Sequence, residues 1–207
     1  MIKKPVFYEI RFLDTFAFMA SSIDALSENL KSSCNNNIIE LRNTFKNISE
    51  HFINDDEFLL MIQKGVYPYD YIDSYDRLYE DKLPSQSDFY SELSSLECSN
   101  ENYEKAKLVW TTFKCKNFLD YHNIYLISDV LLLSDIWDNF RNVCYKIYGL
   151  DCCYYYTAPS LSWDAMLKIT NVELELLTDI EKYLFVESGI RGGISQISHR
   201  YAEANNK

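Results

Sequence analysis

Glycine and proline are scarce, five and four in 207 residues. That argues against a loop-rich, collagen-like or low-complexity chain and for long regular elements. No long apolar run exists: the longest aliphatic stretch, residues 130–133, is far too short to span a bilayer. The charged start at Met1 is followed by no apolar signal core, so neither secretion nor membrane insertion is indicated. The six cysteines, at positions 34, 98, 115, 144, 152 and 153, include no Cys-x-x-Cys pair, and no histidine lies near enough to complete a zinc pattern. Reduced, mostly buried thiols are expected. His51, His122 and His199 are isolated and form no triad with a nucleophile.

Basic charge is also in short supply. The net charge of −11 argues at first against nucleic acid, whose phosphates call for a basic surface. The acid is concentrated, however. Residues 54–104 hold thirteen Asp and Glu against Lys64, Arg77 and Lys82, which leaves the rest of the chain nearly neutral. The scattered carboxylates of this segment read as a solvated face and not as a metal site.

What is abundant is apolar and aromatic: 47% hydrophobic and 15% aromatic, with 17 tyrosines, enough for a real core. Residues 7–13 and 66–71 read as strands, 152–156 and 172–177 as further short ones. Helices are expected from Ser21 to Leu30, over 38–52, over 55–63 ending at Gly65, and over 100–112. The clearest runs from Asn117 to Tyr148 along a stripe of Tyr121, Ile124, Tyr125, Leu132, Ile136, Phe140, Val143 and Ile147, and stops at Gly149. Pro159 opens another, and Thr178-x-x-Glu181 caps one reaching Glu187. Cys152, Cys153 and the run Tyr154 to Tyr156 read as core.

Within the long helix, Tyr125 and Asp129 stand at i, i+4 spacing on one face. A carboxylate there can hold a divalent metal while a phenol orients water for attack on a phosphodiester. Read alone, the spacing fits a boundary pair beside a core stripe better, and Lys64 fits a solvated cation at a helix end. Asp129 interrupts an otherwise apolar segment, so its carboxylate needs a partner.

The stretch Asp120-Tyr-His-Asn-Ile-Tyr-Leu-Ile-Ser-Asp-Val-Leu-Leu-Leu resembles the third exonuclease motif of family B DNA polymerases. Phe12-Leu-Asp-Thr-Phe and Lys64-Gly-Val-Tyr-Pro-Tyr-Asp-Tyr upstream resemble segments of the protein-primed polymerases of Maverick/Polinton transposons and linear plasmids. Tyr155-Tyr-Thr-Ala-Pro-Ser-Leu-Ser-Trp-Asp-Ala-Met-Leu and Gly189-Ile-Arg-Gly-Gly-Ile-Ser follow in the same order. The resemblance covers essentially the whole chain and implies a helix-rich α/β architecture. Residues 1–148 would be the C-terminal part of a ribonuclease H-like 3'→5' exonuclease domain, and 149–207 the connection to, and start of, a polymerase palm.

By that resemblance Asp129 is a metal-ligand carboxylate, Tyr125 positions the attacking water, and Lys64 is a catalytic lysine that Tyr69 helps to place, although Tyr69 fits a packed core tyrosine equally well. Ile190, Arg191, Gly192 and Gly193 resemble the Tyr-x-Gly-Gly motif between the two domains, with isoleucine where tyrosine is usual, and would contact single-stranded template or primer. The implied cofactor is Mg²⁺ and the implied partner DNA, with dNTP and terminal protein engaged by the full-length enzyme. The placement that the resemblance implies is intracellular, in nucleus or cytoplasm. The remaining exonuclease carboxylates and the palm aspartates are missing from these residues, so this chain is expected to be an internal fragment, inactive in isolation. The competing reading is a non-catalytic module, a polymerase remnant whose acidic segment binds a basic partner.

Overall fold

A computed structural model describes residues 10–34, 37–190 and 192. Its elements are helical: α1 (Ile23–Ser32), α2 (Ile38–Thr44), α3 (Lys46–His51), α4 (Asp55–Met61), α5 (Asn100–Thr112), α6 (Phe118–Tyr148), α7 (Ala158–Thr170) and α8 (Ile180–Gly189), with short 3-10 turns between them. No strand forms among the described residues beyond one isolated antiparallel bridge, Ser91 with Leu96. The helix-rich expectation therefore holds, and among the described residues the expected strands do not form.

The reason lies in where the backbone groups go. Val66 offers its carbonyl to the Tyr121 hydroxyl at 2.5 Å, and the chain then turns through Tyr69.. Asp70 instead of meeting a partner strand. Residues 152–154 wind into a 3-10 turn because Asp151 accepts the Cys153 N–H at 3.1 Å and is itself gripped by Arg141 at 2.9 and 2.6 Å. Residues 172–177 adopt no regular structure and join no ladder, and their apolar side chains are exposed. Of the expected strand 7–13, residues 10–13 are not in a strand and the remainder lies outside the described residues.

α6 is the spine. Its 31 residues extend about 46 Å at the usual helical rise. Asn117 caps the start by accepting the Asp120 N–H at 3.0 Å, and Gly149 ends it in the left-handed conformation at φ 62°. One end packs Phe118 and Tyr121 with Phe89 and Ala106; the middle sets Leu132 and Ile136 among Phe45, Ile48, Phe52 and Phe58. The far end joins Cys144 to Phe18, Cys152 and Leu161. Val143 and Ile147, expected on the buried stripe, are exposed, and Cys144 faces the core in their place.

The single helix expected over 38–52 is two, broken at Phe45 (φ −99°, ψ 64°). α6 imposes the break. The fully buried Asp135 accepts the N–H groups of Asn47 (2.8 Å) and Ile48 (3.1 Å) and the Asn47 side-chain amide (2.8 Å), capping α3 from outside. Asn139 completes the joint by donating to the Thr44 carbonyl at 2.8 Å. Burial pushes the Asp135 carboxyl above its ordinary range, although the three donors pull the other way.

Much of the acid in residues 54–104 is used internally. Asp55 pairs with Arg42, Asp73 and Glu80 with Arg77, Asp70 accepts the Glu92 N–H, and Asp88 closes a capping box with Ser85. All six cysteines are free thiols. The chain divides into two compact units, residues 1–169 and 170–207. The first includes most of α7 as well as the helices before position 148. In the second, α8 is capped by Asp179, which accepts from Glu181 and Lys182 N–H at 2.9 and 3.0 Å.

Candidate active site

The segment carrying Lys64 is fixed at both ends. Before it, α4 closes at Ile62, whose carbonyl accepts the buried Ser27 hydroxyl of α1 at 2.5 Å. After it, the Val66 carbonyl is taken by Tyr121 of α6. Lys64 and Gly65 are thereby laid along the face of α6 that presents Tyr121, Tyr125 and Ser128, around a cavity of about 20 Å³, room for a single water molecule. A wider groove of about 490 Å³ opens outside it, lined by Lys64, Tyr67, Tyr69, Asn102 and Lys105 and by the carboxylates of Asp24, Glu28 and Glu97.

Asp129 is half-buried, one turn beyond Tyr125 on α6. Burial raises its pKa and the Lys64 ammonium opposes the rise, so these two charges, 65 positions apart in sequence, feel each other in the fold. They form no direct ion pair, and among the described residues no hydrogen bond reaches the Asp129 carboxylate. A half-buried carboxylate with a nearby cation and no bonding partner fits one corner of a divalent-metal site. The rest of a ligand set is not beside it: among the described residues no cluster of three metal-ligating groups includes Asp129.

Tyr125 is a phenol held in place. Its hydroxyl and that of Tyr69 are hydrogen-bonded, its ring stacks on Tyr67 with centroids 4.6 Å apart, and the Gly65 backbone lies against its edge. Burial raises its pKa first, then the bond to Tyr69 and the charge of Asp129, so the group stays protonated throughout the neutral range. It can orient a water or a phosphate oxygen; it cannot serve as a base. Ser128 donates back to the Tyr125 carbonyl at 3.0 Å and is spent on the helix.

Tyr67, Gly65 and His122 carried no signal in the sequence beyond the aromatic run and the Lys-Gly start, because their contacts to Tyr125 and to each other cross between distant segments. Of the other candidates, Ile190 ends α8 and is 71% exposed, and Gly192 is exposed. Arg191 and Gly193 lie outside the described residues.

Among the described residues one group of metal-type ligands exists. The ligand atoms of Asp151, Cys152 and Cys153 lie within 4.8 Å of one another. They do not fit an ion. Asp151 is spent on Arg141 and the Cys153 N–H, and burial pushes the Cys152 thiol up to about 12, far from the thiolate a metal needs. No helix among the described residues is long and apolar enough to cross a membrane.

The helical scaffold brings Lys64 and Tyr125 to one small cavity, with the half-buried Asp129 one turn further along α6 and within electrostatic reach of Lys64. The family model for DNA polymerase type B, organellar and viral, matches residues 1–207, and the chain belongs to that family. Membership implies DNA as partner and the use of divalent metal in general. No curated protein and no solved structure matches the chain.

Proposed function

We propose that residues 1–148 are the C-terminal part of a ribonuclease H-like 3'→5' exonuclease domain, and that Lys64, Tyr125 and Asp129 form one corner of its active site. Residues 149–207 then lead into the palm, with Ile190 to Gly193 along the path of template or primer. The observation that carries the reading is the Asp129 carboxylate, half-buried, without a hydrogen bond among the described residues, and within electrostatic reach of Lys64.

Asp129 would supply one ligand to Mg²⁺, the remaining ligands coming from elsewhere in the polymerase. The ion, when bound, lowers the pKa of a water and neutralises charge on the scissile phosphate. Tyr125 donates its hydroxyl proton in a hydrogen bond that fixes the direction of the attacking water. Lys64 offsets the negative charge that grows on the phosphate oxygens during attack. Tyr69 holds the Tyr125 hydroxyl from the groove side. The protein-primed, Maverick-type character, with terminal protein as primer and action in nucleus or cytoplasm, rests on the sequence resemblance. The competing reading, an acidic module for a basic partner, is disfavoured because many of those carboxylates are already paired within the fold.

The test is nucleotide release from the 3' end of a 5'-labelled single-stranded oligonucleotide by the polymerase that carries this segment. Asp129→Ala should cut release by about 100-fold or more while primer extension on a matched template persists. Equal release by the variant and the parent would refute the assignment.

A further inference from the structure

Tyr125 depends on residues that no sequence pattern connects to it. Gly65 has no side chain, and a Cβ built there would lie 2.6 Å from Cδ2 and 2.9 Å from Cε2 of Tyr125, closer than any unstrained contact. Its backbone is not in the left-handed region, so conformation does not demand glycine; the tyrosine ring does. The ring stacked on Tyr125 is that of Tyr67, at 4.6 Å and 28°. The hydroxyl of Tyr67 is hydrogen-bonded to Nδ1 of His122 at 2.7 Å, and His122 sits on α6 three residues before Tyr125. Tyr67 is thus pinned at its hydroxyl to one residue of the helix and at its face to another.

We propose that Gly65 and His122 are positioning residues for the Tyr125 phenol. Gly65 yields space to the Cδ2–Cε2 edge of the ring, and His122 locks the Tyr67 ring that covers its face. Neither residue needs to touch DNA or metal. Each acts by narrowing the directions in which the Tyr125 hydroxyl, already bonded to that of Tyr69, can point. A misplacement of about 1 Å in a group that orients a nucleophile costs on the order of 10- to 100-fold in rate, so small repositioning suffices for a large effect.

The consequence for catalysis rests on the exonuclease reading, but the placement does not, and the two are separated by two measurements. The first is NMR of the 207-residue chain carrying ¹³Cε-labelled tyrosine, with Tyr125→Phe identifying the Tyr125 resonance. Gly65→Ala and His122→Phe should each move that resonance, while that of Tyr155, on the far side of the fold, stays put. His122→Gln, which can still bond the Tyr67 hydroxyl, should restore the parent position. An unmoved Tyr125 resonance in both Gly65→Ala and His122→Phe would overturn the proposal. Should Gly65→Ala fail to fold, as judged by its far-ultraviolet spectrum, the two His122 variants decide alone.

The second measurement is exonuclease kinetics of the polymerase on a single-stranded oligonucleotide. Gly65→Ala should lower kcat to about the level of Tyr125→Phe with KM within about twofold, and combining the two should cost nothing more. Additive losses would overturn the proposal. Shifted resonances in the 207-residue chain, together with no exonuclease activity in the parent polymerase, would uphold the placement and refute the proposed function.

Discussion

Replacing Asp135 by alanine should loosen the joint between α6 and α3, and the size of the loss can be worked from the donors it leaves. Three donors lose their acceptor: the Ile48 N–H, whose residue is fully buried, the Asn47 N–H, and the Asn47 side-chain amide. The amide can turn to Ser134 or Asp138, which it already approaches at 3.3 and 3.4 Å, so its loss is small. An orphaned buried N–H costs about 1–3 kcal/mol and a lost helix cap about 1 kcal/mol. Relief of the buried charge, whose pKa burial has raised, returns part of this. The net is about 2–3 kcal/mol, or roughly 4–12 °C in Tm for a unit of this size. Asp135→Asn keeps one acceptor but turns an amide N–H toward a donor, so it should fall between alanine and the parent. Thermal unfolding of the 207-residue chain at neutral pH, followed by helical circular dichroism, measures both. A Tm for Asp135→Ala within about 2 °C of the parent would mean that α3 does not rely on this cap.

Gly149→Ala should cost about 1–2 kcal/mol, because φ of 62° places a Cβ against its own carbonyl, while the neighbouring Lys168 ammonium can swing away; the same melting experiment reads it. Asp129→Asn should raise the Tm at pH 7 in chelator-treated buffer. The folded pKa of Asp129 is raised, so the parent has its full stability below the ordinary carboxylate range and loses some as pH rises through the folded pKa, a loss the amide escapes. The advantage should vanish near pH 3, and a variant less stable than the parent at pH 7 would contradict the direction of that shift. Tyr125→Phe should slow nucleotide release about 10- to 100-fold with no acid or base limb removed from the pH profile, because the phenol stays protonated in the neutral range.

The helices whose ends are written locally were legible from the residues. Asn117 and Gly149 bracket α6, and Asp179, one residue beyond the expected Thr178, caps α8. The break at Phe45 was not legible, since the groups that satisfy it, Asp135 and Asn139, lie about ninety residues away. Alternation at 172–177 and the aromatic run at 66–71 suggested strands, but a strand needs a neighbour, and the backbone of Val66 found a tyrosine hydroxyl instead. In the site, the i, i+4 pair Tyr125 and Asp129 could be read from spacing, and Lys64 from resemblance. Gly65, Tyr67 and His122 could not, because a glycine that makes room and a histidine that holds a phenol are defined only by what packs on them.

An exonuclease corner requires Lys64 and Asp129 to work in one site despite the distance between them in sequence. The direct measurement is a double-mutant cycle on 3' nucleotide release by the polymerase, with Lys64→Met, Asp129→Ala and the pair together, and primer extension recorded on the same preparations. Strong single losses, a double variant little worse than Asp129→Ala, and intact extension are the predicted result. Losses that simply multiply, or that fall equally on extension, would contradict a shared exonuclease corner.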